Sequence, residues 1–233
     1  MATDQPKKKR YVYSTPSLDS VIEVGSEEAK GLVVRIPGRS TSPPFAGVIP
    51  ALFAIDVVTR KLGKTNRNFD HKSVLAAVDT KLDSIEKEFR AEIARLEAFI
   101  ASESITARAS YNNPVKFTYE VTTPQIQRAA ELVSLLDYLV KLVDTLWLRR
   151  RLGQEEAESY KNRQTKLLTK GFRSLISTGF AARKKAFDKA TPEALEAQKD
   201  IIEAESKVTD DAEDGDDLPS QGLNDASKES ATA

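Results

Sequence analysis

The sequence of 233 residues has no cysteine, one histidine, one tryptophan and one methionine. Without cysteine there are no disulfides, thiolate metal sites or sulfur nucleophiles, a composition that fits a reducing compartment. With His71 as the single histidine, no histidine pair and no His-Glu-x-x-His metal helix can form. Next to Asp70, at the start of a predicted helix, it is expected at the surface. Long apolar runs are also missing. The longest, FAGVIPALFAI from Phe45 to Ile55, contains Pro50 and stops at Asp56, short of the roughly 20 residues that span a bilayer. The basic cluster from Pro6 to Arg10 has no apolar stretch after it and does not read as a secretory signal. A soluble, cytoplasmic protein is expected.

Net charge is absent too, with 35 Lys and Arg against 35 Asp and Glu, but only because segments cancel. From Arg149 to Lys189 there are twelve basic residues and four acidic ones. From Lys207 onward there are eight acidic residues and two basic ones, in a composition too polar to support a core. The chain is long enough for one well-buried domain. The expected organisation is a flexible basic arm over 1–30, a single helical domain over 31–206 and a disordered acidic tail over 207–233.

Catalytic constellations are not found. Gly63-Lys64-Thr65 has the ending of a P-loop, but Val58 stands where the motif needs its first glycine, so Gly63 reads as a helix C-cap. The carboxylates lie on helical faces balanced by Lys and Arg, the pattern of a solvated surface. No enzyme activity, metal, cofactor or small-molecule substrate is expected.

The positive signals are helical. A short strand is predicted at GLVVRI, Gly31 to Ile36, and a buried helix from about Val48 to Leu62. From Asp70 to Ser102, Leu75, Val78, Leu82, Ile85, Phe89, Ile93, Leu96 and Ile100 recur at three- and four-residue steps. That spacing gives an amphipathic helix with a coiled-coil-like seam, fit to pack on another long helix or a second chain. The segment 124–151 carries two apolar stripes and should be enclosed on both sides, with Thr122 or Thr123 as N-cap, Pro124 at its first position and Gly153 closing it. A basic helix follows over 154–187, and a weaker helical pattern over 192–208.

Between the helices at 70–102 and 124–151 lies VKFTYEV, Val115 to Val121, with strict alternation. One parity holds Val115, Phe117, Tyr119 and Val121; the other holds Lys116, Thr118 and Glu120. A lone strand is not stable. Its partner is GLVVRI, Tyr11 to Tyr13, Val21 to Val24, or the same strand of a second chain. The last option makes a two-stranded antiparallel ribbon on a twofold axis, with Val115, Phe117, Tyr119 and Val121 as dimer core. Such a ribbon fits the major groove of DNA, with Lys116, Thr118 and Glu120 turned to base edges. A helical scaffold protein, binding a partner through the Leu75 to Ile100 seam, is the competing expectation.

The run NNPVKFTYEVTTPQIQRAAELVSLLDYLV, with FAGVIPALFAIDVVTRKL upstream and GFRSLISTGFAARKKA downstream, resembles the AcaB-like family of regulators carried by conjugative plasmids and integrating conjugative elements. The resemblance rests on Asn113-Pro114, Phe117, Thr123-Pro124, Ala129-Ala130, Leu132-Val133 and Asp137, and covers about Gly38 to Phe187. It implies a mainly α fold with a short β-ribbon: a long-helix, ribbon-helix-helix-like homodimer that binds promoter DNA and regulates transfer genes, as an activator, at the nucleoid or plasmid of a bacterium. A ribbon at 115–121 and helices at 124–151 and 154–187 follow from it. Two departures stand out. The first helix is about twice the usual length, and Glu155, Glu156 and Glu158 occupy the start of the second, where phosphate contact is ordinarily made. Phosphate contacts are therefore assigned to the arm Lys7, Lys8, Lys9 and Arg10, to Arg149, Arg150 and Arg151, and to Lys161 and Arg163. The arm also reads as a nuclear import signal in a eukaryotic protein, or as a solvated tail.

Overall fold

A computed structural model describes residues 16–33, 48–62 and 70–187. The elements run β1 (Leu18–Val24), α1 (Glu27–Val33), α2 (Val48–Asp56), a π-helical turn (Val57–Lys61), α3 (His71–Ser102), β2 (Val115–Val121), α4 (Pro124–Leu148) and α5 (Gln154–Phe187). The described chain is mostly helical, with one two-stranded antiparallel sheet. The segments at 192–208 and 207–233, the basic cluster at 7–10 and Gly63 lie outside the described residues.

Helix α4 is the centre of the packing. Both of its apolar stripes turn inward, with Ile126, Val133, Leu136, Leu139, Leu142 and Leu146 buried, because α1, α2, α3, α5 and the sheet each pack against it. Each leucine of that size removed from water contributes about 1.5–3 kcal/mol before conformational entropy is subtracted. Trp147, placed on one of those stripes by its spacing, is 43% exposed at the helix end.

Side-chain pairs give the directions of the long helices. Gln125 donates to Asp79, Arg128 pairs with Asp79, Asp83 and Glu86, and Tyr138 donates to Glu97, so α3 and α4 run parallel. Helix α5 returns antiparallel, with Lys161 beside Asp144 and Tyr160 beside Glu92. Gly171 marks the close approach of α5 to α3: a Cβ there would stand 2.3 Å from Ile85 Cδ1, so the tip of that side chain would have to move. The α3 seam is thereby used up within the chain. Val78, Leu82, Ile85, Phe89, Ile93, Leu96 and Ile100 are buried, which corrects the expectation that this seam offers itself to a partner.

The helix ends follow local chemistry. Asp70 caps α3 by accepting from the Ser73 N–H at 3.2 Å. Helices α3 and α4 both end in a Schellman turn. Ile105 N donates to Ile100 O and Ser104 N to Ala101 O; Arg151 N donates to Leu146 O and Arg150 N to Trp147 O. The left-handed position is filled by Ser104 (φ 54°) and Arg150 (φ 57°). Thus α4 stops at Leu148, earlier than the predicted 151, and Gly153 does not close it. Gly153 instead donates its N–H to Glu156 at 3.0 Å, at the start of α5. Thr123 is the N-cap residue of α4, but its hydroxyl makes no cap bond and is buried without a partner. The Thr122 hydroxyl donates to Asp56 at 2.8 Å and ties the end of α2 to the start of α4.

Three further expectations are corrected. Residues 31–33 of the predicted GLVVRI strand belong to α1, whose start is set by Ser26: its Oγ accepts from Ala29 N, and Glu27 and Glu28 fill the first turn. The flexible arm assigned to 1–30 cannot extend past residue 17, because Leu18–Val24 is a strand and α1 packs on α4 and α5. His71 is partly buried, its Nε2 3.2 Å from Thr59 O, where it links α3 to the π-helical turn.

Candidate nucleic-acid interface

The strand at 115–121 finds its partner within the chain. β1 and β2 pair antiparallel with Val24 opposite Val115, Ile22 opposite Phe117, Ser20 opposite Tyr119 and Leu18 opposite Val121. This corrects the ribbon made from the same strand of two chains. It also relocates the expected dimer core. Tyr119 is buried, its hydroxyl donates to Gln127 of α4 at 3.0 Å, and its ring stacks on Phe117 at 5.7 Å. Val115, Phe117 and Val121 are partly buried against the chain's own core.

The other parity faces outward, as the alternation predicts: Lys116, Thr118 and Glu120 are exposed. Opposite them stand Glu23, Val21 and Asp19. The outward face therefore holds three carboxylates and one ammonium, and Lys116 is 3.9 Å from Glu23. Asp19 opposite Glu120 is a like-charge pair, mildly destabilising in an exposed ribbon. The face is not a phosphate-binding surface.

Among the residues assigned to phosphate, the structure separates three situations. Lys161 is largely enclosed at 19% side-chain exposure, with Nζ 3.1 Å from Asp144 and 3.5 Å from Glu28. Burial alone lowers its pKa, but the hydrogen bond to Asp144 and the charge of Glu28 outweigh it, and the net shift is upward. Tyr111 donates to the same Asp144 at 2.8 Å; burial, then that bond, raises the tyrosine. Lys161 is thus a tether between α1, α4 and α5. Arg151 is paired with Glu103 at 2.6 Å, joining the two Schellman turns, and Arg150 holds the left-handed position. Arg149 is exposed beside them. Arg163 is 65% exposed, lies over the Tyr160 ring at 4.9 Å and reaches Glu92 at 4.0 Å. Glu92, held by the Tyr160 hydroxyl and Arg95, has its pKa lowered although burial opposes the shift.

A stronger cationic surface lies further along α5. Between Glu158 and Asp188 there is no carboxylate, while Lys161, Arg163, Lys166, Lys170, Arg173, Arg183, Lys184 and Lys185 are basic. Arg163, Lys166, Lys170, Arg173, Lys184 and Lys185 are exposed. The three- and four-residue steps from Arg163 to Arg173 form a ridge opposite buried Leu168, Phe172, Leu175 and Ile176, and Lys184 and Lys185 extend it by three turns. From Arg163 to Lys184 it runs about 32 Å at 1.5 Å per residue, close to one turn of duplex DNA. The signal for this ridge was legible as an acid-free stretch at helical spacing, yet the predicted contacts stopped at Arg163.

Asp137, part of the family-like pattern, has a structural task. Its Oδ1 accepts from Gly25 N at 3.0 Å, Ser26 N at 2.7 Å and Ser26 Oγ at 2.7 Å, so α4 holds the corner between β1 and α1. Gly25 is required there, because a Cβ would meet the Tyr111 ring at 2.3 Å. Beside this corner a polar cleft of about 740 Å³ opens, lined in part by Glu27, Lys30, Asn113 and Glu158. No helix among the described residues is long and apolar enough to cross a membrane.

The architecture is shared with a solved protein. The chain is similar to AcaB from uropathogenic E. coli, whose selenomethionine crystal structure superposes with a TM-score of 0.68 at 25% identity, covering 87% of this chain and 100% of that one. No protein-family model matches the sequence. No curated protein matches it either. The likeness to AcaB agrees with the resemblance carried by Asn113-Pro114, Phe117, Thr123-Pro124 and Asp137.

Proposed function

We propose that this chain is a DNA-binding transcriptional regulator of genes carried by a mobile element, acting as a homodimer, and that the basic ridge of α5 grips the phosphate backbone. The likeness to AcaB supports the class of regulator. The observation that carries DNA binding is the run from 159 to 187, with eight basic residues, no acidic one, and a continuous exposed face. Lysine and arginine side chains at successive helical turns follow a phosphate strand, and each neutralised phosphate releases condensed counterions. The reading has no catalytic step. Lys116, Thr118 and Glu120 remain available for base edges, Lys116 to guanine, Glu120 to cytosine N4 and Thr118 to either edge.

The test is a salt titration of binding to duplex DNA. Five ridge contacts from Lys166, Lys170, Arg173, Lys184 and Lys185 predict a slope of log affinity against log salt near −4.5 per protomer, at about −0.9 per phosphate. Lys166→Ala with Lys170→Ala should make the slope shallower by about 1.8 per protomer and weaken all sequences alike. Absence of duplex binding at low salt, or a slope untouched by the two substitutions, refutes the reading.

A further inference from the structure

We infer that the acidic run at 210–217 docks on the basic ridge of α5 and competes with duplex DNA for it; the competition rests on the proposed DNA-binding role of the ridge, the docking does not. The charge distribution points to this pairing. Through residue 187 the chain has 31 basic and 21 acidic residues; from 188 to 233 it has 4 basic and 14 acidic. Six of those acids, Asp210, Asp211, Glu213, Asp214, Asp216 and Asp217, fall within eight positions. That density matches the ridge, where Lys166, Lys170, Lys184 and Lys185 are exposed on a helix surface free of carboxylates of its own.

Connectivity favours this surface over others. The acidic run follows α5 in the same chain, separated from its last residue by the 22 residues 188–209. The spacer from 187 to 210 covers about 35 Å even if wholly helical, and the middle of the ridge, at Lys170, lies about 26 Å back along the helix axis. A single exposed ion pair contributes little, but several made by a tethered segment act at an effective concentration in the millimolar range. A run of carboxylates spaced along a chain presents the ridge with the same chemistry as a phosphate strand. The outward ribbon face, with three carboxylates, repels the same segment.

Two readouts on the full chain test this. The first is binding to a random duplex by the natural chain and by a chain with the six acids changed to Asn or Gln. If the segment occupies the ridge about nine-tenths of the time at about 50 mM salt, neutralisation tightens binding roughly tenfold, and the gain shrinks as salt rises. The second needs no DNA. The chain has one tryptophan, Trp147, near the start of α5, and no cysteine. Ser220→Cys with a thiol-reactive acceptor therefore gives one donor and one acceptor. Docking predicts energy transfer that falls with salt, with Lys166→Glu plus Lys170→Glu, and with the six neutralised acids. Transfer indifferent to all three overturns the docking, whatever the DNA result. Transfer that responds while both chains bind DNA equally overturns the competition alone. Responsive transfer with no DNA binding by either chain overturns the proposed function and leaves the docking standing.

Discussion

Lys161 decides between two uses of the α5 cations, because the sequence assigns it to phosphate and the structure encloses it between two carboxylates. Lys161→Met keeps the length of the side chain and removes the charge. Asp144 and Glu28, at 16% and 21% exposure, then lose the cation that stands 3.1 and 3.5 Å from them and face one another. Tyr111 still donates to Asp144. The gross attraction at such distances is about 5 kcal/mol per pair at an effective dielectric of 20, and the desolvation already incurred offsets much of it. Complete burial would put the loss at about 3–5 kcal/mol; with a fifth of each group in solvent, about 2–3 kcal/mol is expected. For a domain of this size that lowers Tm by about 5–10 °C.

Thermal melts followed by circular dichroism measure this directly, and adding Asp144→Asn to Lys161→Met should recover about half of the loss, since one stranded charge disappears. Below the melting range, the salt slope of DNA binding should be that of the natural chain. A Tm within about 1 °C of the natural chain, together with a slope shallower by about 0.9, would refute the tether and return Lys161 to the phosphate contacts.

Gly171→Ala gains about 1 kcal/mol of helix propensity but sets a Cβ against Ile85 Cδ1, so a net loss of about 0–2 kcal/mol is expected, and in an Ile85→Val background, which lacks that carbon, the same change should become stabilising in a double-mutant cycle of urea unfolding. Alkaline pH should unfold the α1–α4–α5 corner. Lys161 and Tyr111 both have raised folded pKa values, so their contribution is complete below the unfolded values near pH 10 and is lost as pH rises through the folded ones. Tm measured between about pH 8 and about pH 11 should fall more steeply in the natural chain than in Tyr111→Phe. On the ribbon, Asp19→Asn with Glu120→Gln should raise affinity for random duplex by roughly two- to fivefold while flattening sequence preference in a binding-site selection. A gain without loss of preference would detach the ribbon from base reading.

The elements legible in the sequence are those with one strong, local signal. Asp70 and the regular seam marked α3, Pro124 marked the start of α4, and unbroken alternation marked β2. β1 stands out less, because LDSVIEV puts Val21 on its outward face and Ser20 on its inward one, which blurs the period of two. α1 is hidden in the sequence because Gly31, Val33 and Val34 suggest a strand, whereas Ser26 and the two glutamates after it set a helix start. The candidate site divides the same way. That Lys116, Thr118 and Glu120 share a face follows from the pleat. That Asp19 and Glu23 stand opposite them, or that Glu28 meets Lys161, depends on pairings between residues about a hundred positions apart, which a single sequence does not display.

Those pairings alter how a ribbon of this kind could take part in recognition. Approach of the sheet to DNA brings Asp19, Glu23 and Glu120 toward a polyanion with only Lys116 in compensation, so the ribbon costs affinity at every sequence. A carboxylate in the major groove is favourable only opposite a donor, and cytosine N4 is the donor it can reach without a protonated side chain. The acidic face would therefore act by rejecting most sequences more strongly than it rejects a few. Such a device works only when attraction comes from elsewhere. In the proposed reading the ridge of α5 would supply it, since its exposed lysines are indifferent to sequence and carry no carboxylate among them. On that reading affinity and selectivity would reside on different elements, joined through α4, which packs against both the sheet and α5. The Asp137 bonds to Gly25 and Ser26 hold the β1 corner of that connection, and the Lys161 ion pairs hold its α5 side. Loosening either connection lets ribbon and ridge engage separately, which weakens discrimination before it weakens binding.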